Sequence, residues 1–206
     1  MVGWPNFAGD LRMPLDEKSL VKRSKYLARH LRHQPEALGL TLDPGGWVAV
    51  DALLATMRRH GVELSRAELE EIVARNNKQR FSFDETGTRI RANQGHSIPV
   101  DLQLAPATPP DALYHGTSKA TIGPILREGL QKMRRQHVHL SRDKATAIKV
   151  GSRHGAPIVL LVDAAAMARD GYRFFLSDNG VWLTDHVPPQ YLRVLAPAEW
   201  VDDATS

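Results

Sequence analysis

Cysteine is absent from this chain of 206 residues. That excludes a disulfide framework, a thiolate nucleophile and a Cys-based zinc site, and it suits a reducing, cytoplasmic setting. Long apolar runs are missing too. None approaches the ~18 residues of a membrane span, and the first turn-length stretches lack the basic start and apolar centre of a signal peptide, so no membrane partner is expected. The signatures GxGxxG, GxxxxGK[ST] and GxSxG do not occur, which leaves Rossmann, P-loop and α/β-hydrolase readings without support. Aromatics make up only 6%, yet 42% of the chain is apolar, enough for a real core.

Charge is present and uneven. Residues 18–100 hold 14 Lys and Arg against 9 Asp and Glu, whereas residues 101–206 are nearly balanced. The first half therefore suits a polyanion. Its densest strip is Arg89-Ile90-Arg91-Ala92-Asn93-Gln94-Gly95-His96-Ser97. Alternation puts Arg89 and Arg91 on one face of a short strand, and Gly95 turns the chain to deliver His96 and Ser97 at its end. Arg presents a planar fork of donors to phosphate oxygens, so the strip suits an anion, and Arg89, His96 and Ser97 are candidates for contact with a polyanion. A solvated edge strand is the plain alternative.

In chain order, residues 1–17 read as a loose leader. A helix follows over 18–32, with Leu20, Leu27 and Leu31 at helical spacing, and Pro35 ends it. A turn and the strand residues 47–50 come next, then a helix capped by Asp51 and ended at Gly61. Ser65 with Glu68 forms a capping box for another helix, and residues 80–84 and 88–92 form a hairpin. Helix, strand, helix, helix, hairpin is the order of a winged helix over 18–98. The prolines at 99, 106, 109 and 110 mark a linker over 99–110.

The second lobe, residues 111–200, is β-rich, and residues 201–206 form a tail. Strands are expected at 113–118, 137–141, 157–163 and 192–195, helices at 119–128, 143–150 and 164–169, and a hairpin around Asp178-Asn179-Gly180. The fold class is α+β, with a mixed sheet in this lobe. His30 with His33, and His115 with His137 and His139, could form metal sites, but no carboxylate stands near either set, so no metal is expected. Trp47 and Trp182 read as core, and Arg134-Arg135 as exposed loop charge or as a contact to RNA phosphates.

Eight motifs then occur in one order: Arg29-His30, Gly46-Trp47-Val48, Lys78-Gln79-Arg80-Phe81, residues 90–97, Tyr114-His115-Gly116-Thr117, residues 137–141, Gly151-Ser152-Arg153-His154-Gly155 and residues 179–184. Over roughly residues 18–195 the chain closely resembles the NAD-dependent RNA (tRNA) 2′-phosphotransferases. The resemblance implies an RNA-binding winged-helix lobe joined to an ADP-ribosyltransferase-like lobe, acting as a cytoplasmic monomer. It implies that an internal 2′-phosphate of RNA attacks the nicotinamide ribose of NAD⁺, and that the ribose O2″ then attacks phosphorus. The products are 2′-OH RNA, nicotinamide and ADP-ribose 1″,2″-cyclic phosphate.

By the same resemblance Arg29, His30, Arg91 and Arg153 surround the 2′-phosphate, with Arg142 as the alternative to Arg153. His115, Gly116, Thr117, Ser141, Asn179, Gly180 and Val181 hold NAD⁺. Because the substrate phosphate is the nucleophile, the protein's task is positioning and electrostatics, which needs no Ser, Cys or Asp nucleophile. Two alternatives remain open: an ADP-ribosyltransferase that caps terminal phosphates of nucleic acids, and a binding module that only senses NAD⁺.

Overall fold

The computed structural model describes residues 15–76 and 78–200. Most of the expected leader and the whole tail lie outside these. At residue 15 the chain is already part of the fold: Leu15 is buried, its amide donates to Glu71 Oε2 (3.1 Å), and its carbonyl accepts from Arg75 Nη1 (2.9 Å). Asp16 accepts from the Ser19 amide (2.7 Å) and caps α1 (Glu17–His33).

The strand β1 (Trp47–Ala49) runs directly into α2 (Val50–Arg59). The cap position is Ala49, not Asp51 as expected. A cap side chain is dispensable here because the Val50 amide donates to the Thr88 carbonyl (2.9 Å) across the sheet. Ser65 and Glu68 do form the capping box of α3 (Arg66–Arg75). The hairpin strands β2 (Phe81–Phe83) and β3 (Arg89–Ala92) complete an antiparallel sheet of order β1-β3-β2. Strand alternation buries Ile90 and Ala92 against Leu27, Leu31, Leu53 and Met57, one core of the molecule, and leaves Arg89 and Arg91 on the other face. Each fully buried Leu, Ile or Met among these contributes about 1.5–3 kcal/mol.

Residues 99–110 form the connecting segment. It is strapped to both sides: the Gly45 amide donates to the Asp101 carbonyl (2.9 Å), and the Ala107 amide to the Phe174 carbonyl (2.8 Å).

Beyond it lie β4 (Ala112–Ser118), α4 (Ile122–Glu128), β5 (Leu130–Gln131), β6 (Val138–Leu140), α5 (Lys144–Gly151), β7 (Pro157–Asp163) and α6 (Ala164–Arg169). They are followed by β8 (Phe175–Leu176), β9 (Trp182–Thr184), β10 (His186–Val187) and β11 (Leu192–Val194). Helix α4 starts three residues later than expected, because the ring of Pro124 is tolerated only in a first turn. The sheets have orders β11-β7-β4, β6-β9-β8 and β10-β5. Every strand pairing among the described residues is antiparallel, so the expected mixed sheet is corrected to small antiparallel ones. The reason lies in the connections: α5 links β6 to β7, which belong to different sheets, and no helix carries a strand to a parallel neighbour. Leu113, Leu160, Val162, Met167, Phe174 and Trp182 form a second core.

Gly116 and Gly151 explain how α5 seats on β4. A Cβ on Gly116 would lie 1.7 Å from the Ala147 carbonyl oxygen, and one on Gly151 would lie 2.6 Å from that of Thr117. Helix and strand backbones touch there, and only glycine fits.

Candidate functional site

The last turn of α1 carries Arg32 and His33 toward the second half of the chain. Arg32 Nε and Nη2 are buried with no hydrogen-bond partner among the described residues. Burial, then the charges of Arg80 and Arg135, hold this guanidinium down at about 10. A buried, unpaired cation beside two others is unfavourable unless an anion joins it.

Its neighbours are individually positioned. Arg80, just before β2, donates from Nη1 to Ser24 Oγ (3.2 Å) and to Asn76 Oδ1 (3.1 Å), so α1 and the end of α3 aim it. Arg135, in the loop before β6, donates from Nη1 to His139 Nδ1. Arg has only donors, so His139 Nδ1 is the unprotonated nitrogen. That agrees with a His139 pKa pushed down to about 3 by burial and then by Arg135. The Arg153 charge lowers the pKa values of Lys78, Arg80 and Arg135, each after burial, which places all four in one field. None of Arg32, Arg80, Arg135 and Arg153 has an ion pair among the described residues.

The Gly95 turn buttresses this cluster. The Ser97 amide donates to the Arg32 carbonyl (3.0 Å), and Ser97 Oγ bonds His33 Nδ1 (2.9 Å). His96 is 1% exposed with both ring nitrogens unpartnered, and burial followed by the Arg32 charge pushes it down to about 4. It is therefore neutral near pH 7. Burial and then Arg32 lower His33 as well.

The remaining expected residues divide. Arg29 is exposed and donates from Nε to Gln34 Oε1 (2.9 Å). His30 is buried on the core side of α1, with Nδ1 donating to the Tyr26 carbonyl (2.9 Å). Arg91 is already partnered: Nη2 pairs with Asp178 Oδ2 (2.6 Å), Nη1 donates to the Gly45 (3.3 Å) and Leu102 (3.2 Å) carbonyls, and the guanidinium stacks 4.6 Å from the Trp47 ring. Arg89 pairs with Asp84 (2.9 Å). Together these line a cleft of about 500 Å³ with Trp47, Phe83 and Asp178. Another, of about 350 Å³, lies between Leu40, Val48, Ala52 and Thr56. Neither holds the unpaired arginines. Trp182 is core, as expected, whereas Trp47 is only half-buried.

In the second half, His115 Nδ1 donates to the His139 carbonyl (3.0 Å), and the Thr117 hydroxyl bonds that of Thr121 (2.7 Å). Ser141 pairs its backbone with Tyr114 (2.7 and 2.8 Å). Gly180, with φ +77°, completes a tight turn in which Asn179 Nδ2 reaches across to the Lys78 carbonyl (3.1 Å) and the Val181 amide donates to Ser177 Oγ (3.1 Å). Arg142 is exposed. No group of three or more His, Asp or Glu among the described residues is placed to hold a metal, and no helix is long and apolar enough to cross a membrane.

The sequence reading gave Arg32, His33, Arg80 and His139 no place at the 2′-phosphate, and took Arg135 as loop charge or a contact to RNA phosphates. One signal was available for the first pair. Two Arg-His pairs stand three residues apart, and helical phase puts His30 with Leu27 and Leu31 on the core face, leaving Arg32-His33 free for the site.

The protein is thus of α+β class, with a cluster of arginines that has no carboxylate partner among the described residues. The family model that matches is the RNA 2′-phosphotransferase, Tpt1 / KptA family, over residues 18–186. The chain belongs to that family. It is 58% identical over 181 residues to the probable RNA 2′-phosphotransferase of Trichormus variabilis, covering 88% of this chain and 100% of that protein. The protein of the same description from Herpetosiphon aurantiacus is 58% identical over 178 residues, covering 86% and 98% of the two chains. That of Streptomyces coelicolor is 57% identical over 183 residues, covering 89% and 100%.

Proposed function

We propose that this protein removes an internal 2′-phosphate from RNA and transfers it to NAD⁺. Membership of the family supports the reaction class. The observation that carries the site assignment is Arg32, whose guanidinium has two buried, unpartnered nitrogens beside Arg80 and Arg135. A phosphate dianion supplies the missing acceptors and charge at once. Arg32, Arg80 and Arg135 hold it, with Arg153 rather than Arg142 as the fourth donor because its charge reaches Arg80 and Arg135. Preorganised donors of this kind stabilise charge developing on phosphorus.

His33 takes the proton-transfer role first given to His30. Ser97 orients its ring through Nδ1, and its lowered pKa keeps Nε2 able to accept a proton near neutrality. Arg91 takes a different part from the one expected of it: paired with Asp178, it anchors the turn 177–181 to β3. The order α1, β1, α2, α3, β2, β3 supports a winged-helix reading of the first half, and the two three-stranded antiparallel sheets of the second support an ADP-ribosyltransferase-like reading.

For NAD⁺ the residues fit in part. Gly116 is filled by α5, and the Thr117 hydroxyl is engaged with Thr121. His115 Nε2 and the Ser141 hydroxyl have no partner among the described residues, and with the turn at Gly180 they would hold the nucleotide. NAD⁺ supplies an electrophilic anomeric carbon with a good leaving group. The test is to incubate the protein with NAD⁺ and a short RNA carrying a radiolabelled internal 2′-phosphate. Label passing to a small ADP-ribose cyclic phosphate, leaving 2′-OH RNA, is expected. Label that stays on the RNA overturns the reading.

A further inference from the structure

Helix α1 bears Lys18, Lys22, Lys25, Arg29 and Arg32, spaced alternately four and three residues apart. At ~100° per residue they fall within an arc of about 80°, opposite the face of Leu20, Leu27 and Leu31. The first four are exposed. The nearby carboxylates are committed elsewhere: Asp16 caps the helix, Glu17 lies 3.6 Å from Arg75, and Glu68 pairs with Arg23, which points off the arc. None of the four has an ion pair among the described residues. Like charges at these spacings repel and work against the helix, whereas a glutamate at one of them would relieve the strain. An ordinary solvated helix face mixes signs; this arc does not.

The stripe also leads somewhere. Its last member is Arg32, the buried cation of the cluster. Lys25 is close enough to Lys78 for its charge to add to those of Arg153, Arg80 and Lys149 there, after burial. The cations are therefore continuous from the exposed start of α1 to the arginine cluster, over about 21 Å of helix. We infer that this face of α1 is the track for the RNA strand flanking the 2′-phosphate, gripping several backbone phosphates while Arg32 receives the 2′-phosphate. The inference rests on the proposed function. Contacts of this kind position a strand without reading its bases, so the track confers a preference for length and not for sequence.

The double variant Lys18→Glu/Lys22→Glu tests it, since both side chains are exposed and lie outside the cluster. Its affinity is measured by fluorescence anisotropy for two 2′-phosphorylated RNAs, a trinucleotide and a strand of about 15 nucleotides with the mark at its centre. The long RNA should bind roughly tenfold more weakly, and its log-affinity slope against log salt should fall by about 1.4, the value for two single-stranded phosphates. The trinucleotide should shift less than about twofold. Unchanged binding of the long RNA, or equal losses on both, overturns the track and returns α1 to a solvated face. The milder Lys18→Gln/Lys22→Gln variant gives the same comparison if the reversal disturbs folding. Release of 2′-phosphate from the trinucleotide by the unaltered protein is scored separately, so failure of the function and failure of the track are read from different tubes.

Discussion

Arg91 and Arg32 both come from arginine-rich stretches of the first half, and the structure treats them in opposite ways. Arg91 stacks on Trp47 and reaches Asp178 and two carbonyls. Arg32 is half-buried beside Arg80 and Arg135, with two buried nitrogens that have no partner among the described residues. The first arrangement already has its carboxylate, although Arg91 Nε is itself buried without a partner among the described residues, and it links β3 to the turn at Asp178. The second is incomplete without an anion. Density of arginine along the sequence does not separate a strut from a site; what separates them is whether the guanidinium already has its anion.

That contrast can be broken most forcefully at Arg32. Arg32→Ala or Arg80→Ala should lower kcat/KM for 2′-phosphorylated RNA by about 10²–10³-fold, the usual loss when a donor to developing charge is removed. The melting temperature of Arg32→Ala should stay at or above that of the unaltered protein, because an unpaired buried charge has gone. A large fall in stability with little change in turnover would make Arg32 a strut as well.

Asp178→Ala sharpens the other side. It leaves Arg91 without its carboxylate, and should cost roughly 1–2 kcal/mol in a urea melt, discounted because Asp178 is 37% exposed. Turnover should fall far less than for Arg32→Ala. A melt identical to the unaltered protein would show that Arg91–Asp178 anchors nothing.

The smallest effect concerns His96, held neutral beside Arg32. Its pKa is about 4 in the fold against about 6.5 unfolded. The unfolded chain therefore gains a proton first as pH falls. Stability is complete above about 6.5 and declines toward 4, by about 1 kcal/mol between pH 6.5 and 5.5. His96→Asn should flatten that part of the profile, and an unaltered slope would place the titrating group elsewhere.

Much of this was legible from the residues. The leucine spacing of α1, the Ser65–Glu68 capping box and the apolar run of β7 each dictate one local structure, and each formed as read. Pro124 and Ala49 show the limit at element ends, where a ring clash and a cross-strand hydrogen bond decide the start of a helix. Gly116 was read among the residues that hold NAD⁺; the Ala147 carbonyl lies where its Cβ would be, a long-range contact that no local pattern encodes. In the proposed site, Arg153 keeps the place expected of it from the sequence, whereas preferring Arg32-His33 to Arg29-His30 turns on helical phase, and Arg80 and Arg135 are joined to Arg32 only by the packing of α3 and the loop before β6.

The most direct measurement sets those two pairs side by side: equilibrium binding of a 2′-phosphorylated trinucleotide, without NAD⁺, to Arg32→Ala and to Arg29→Ala. Loss of the bonds from a buried guanidinium to phosphate predicts roughly 30-fold weaker binding for Arg32→Ala and less than about threefold for Arg29→Ala. Equal losses, or a larger one at Arg29, would contradict the assignment of the phosphate to the Arg32 cluster.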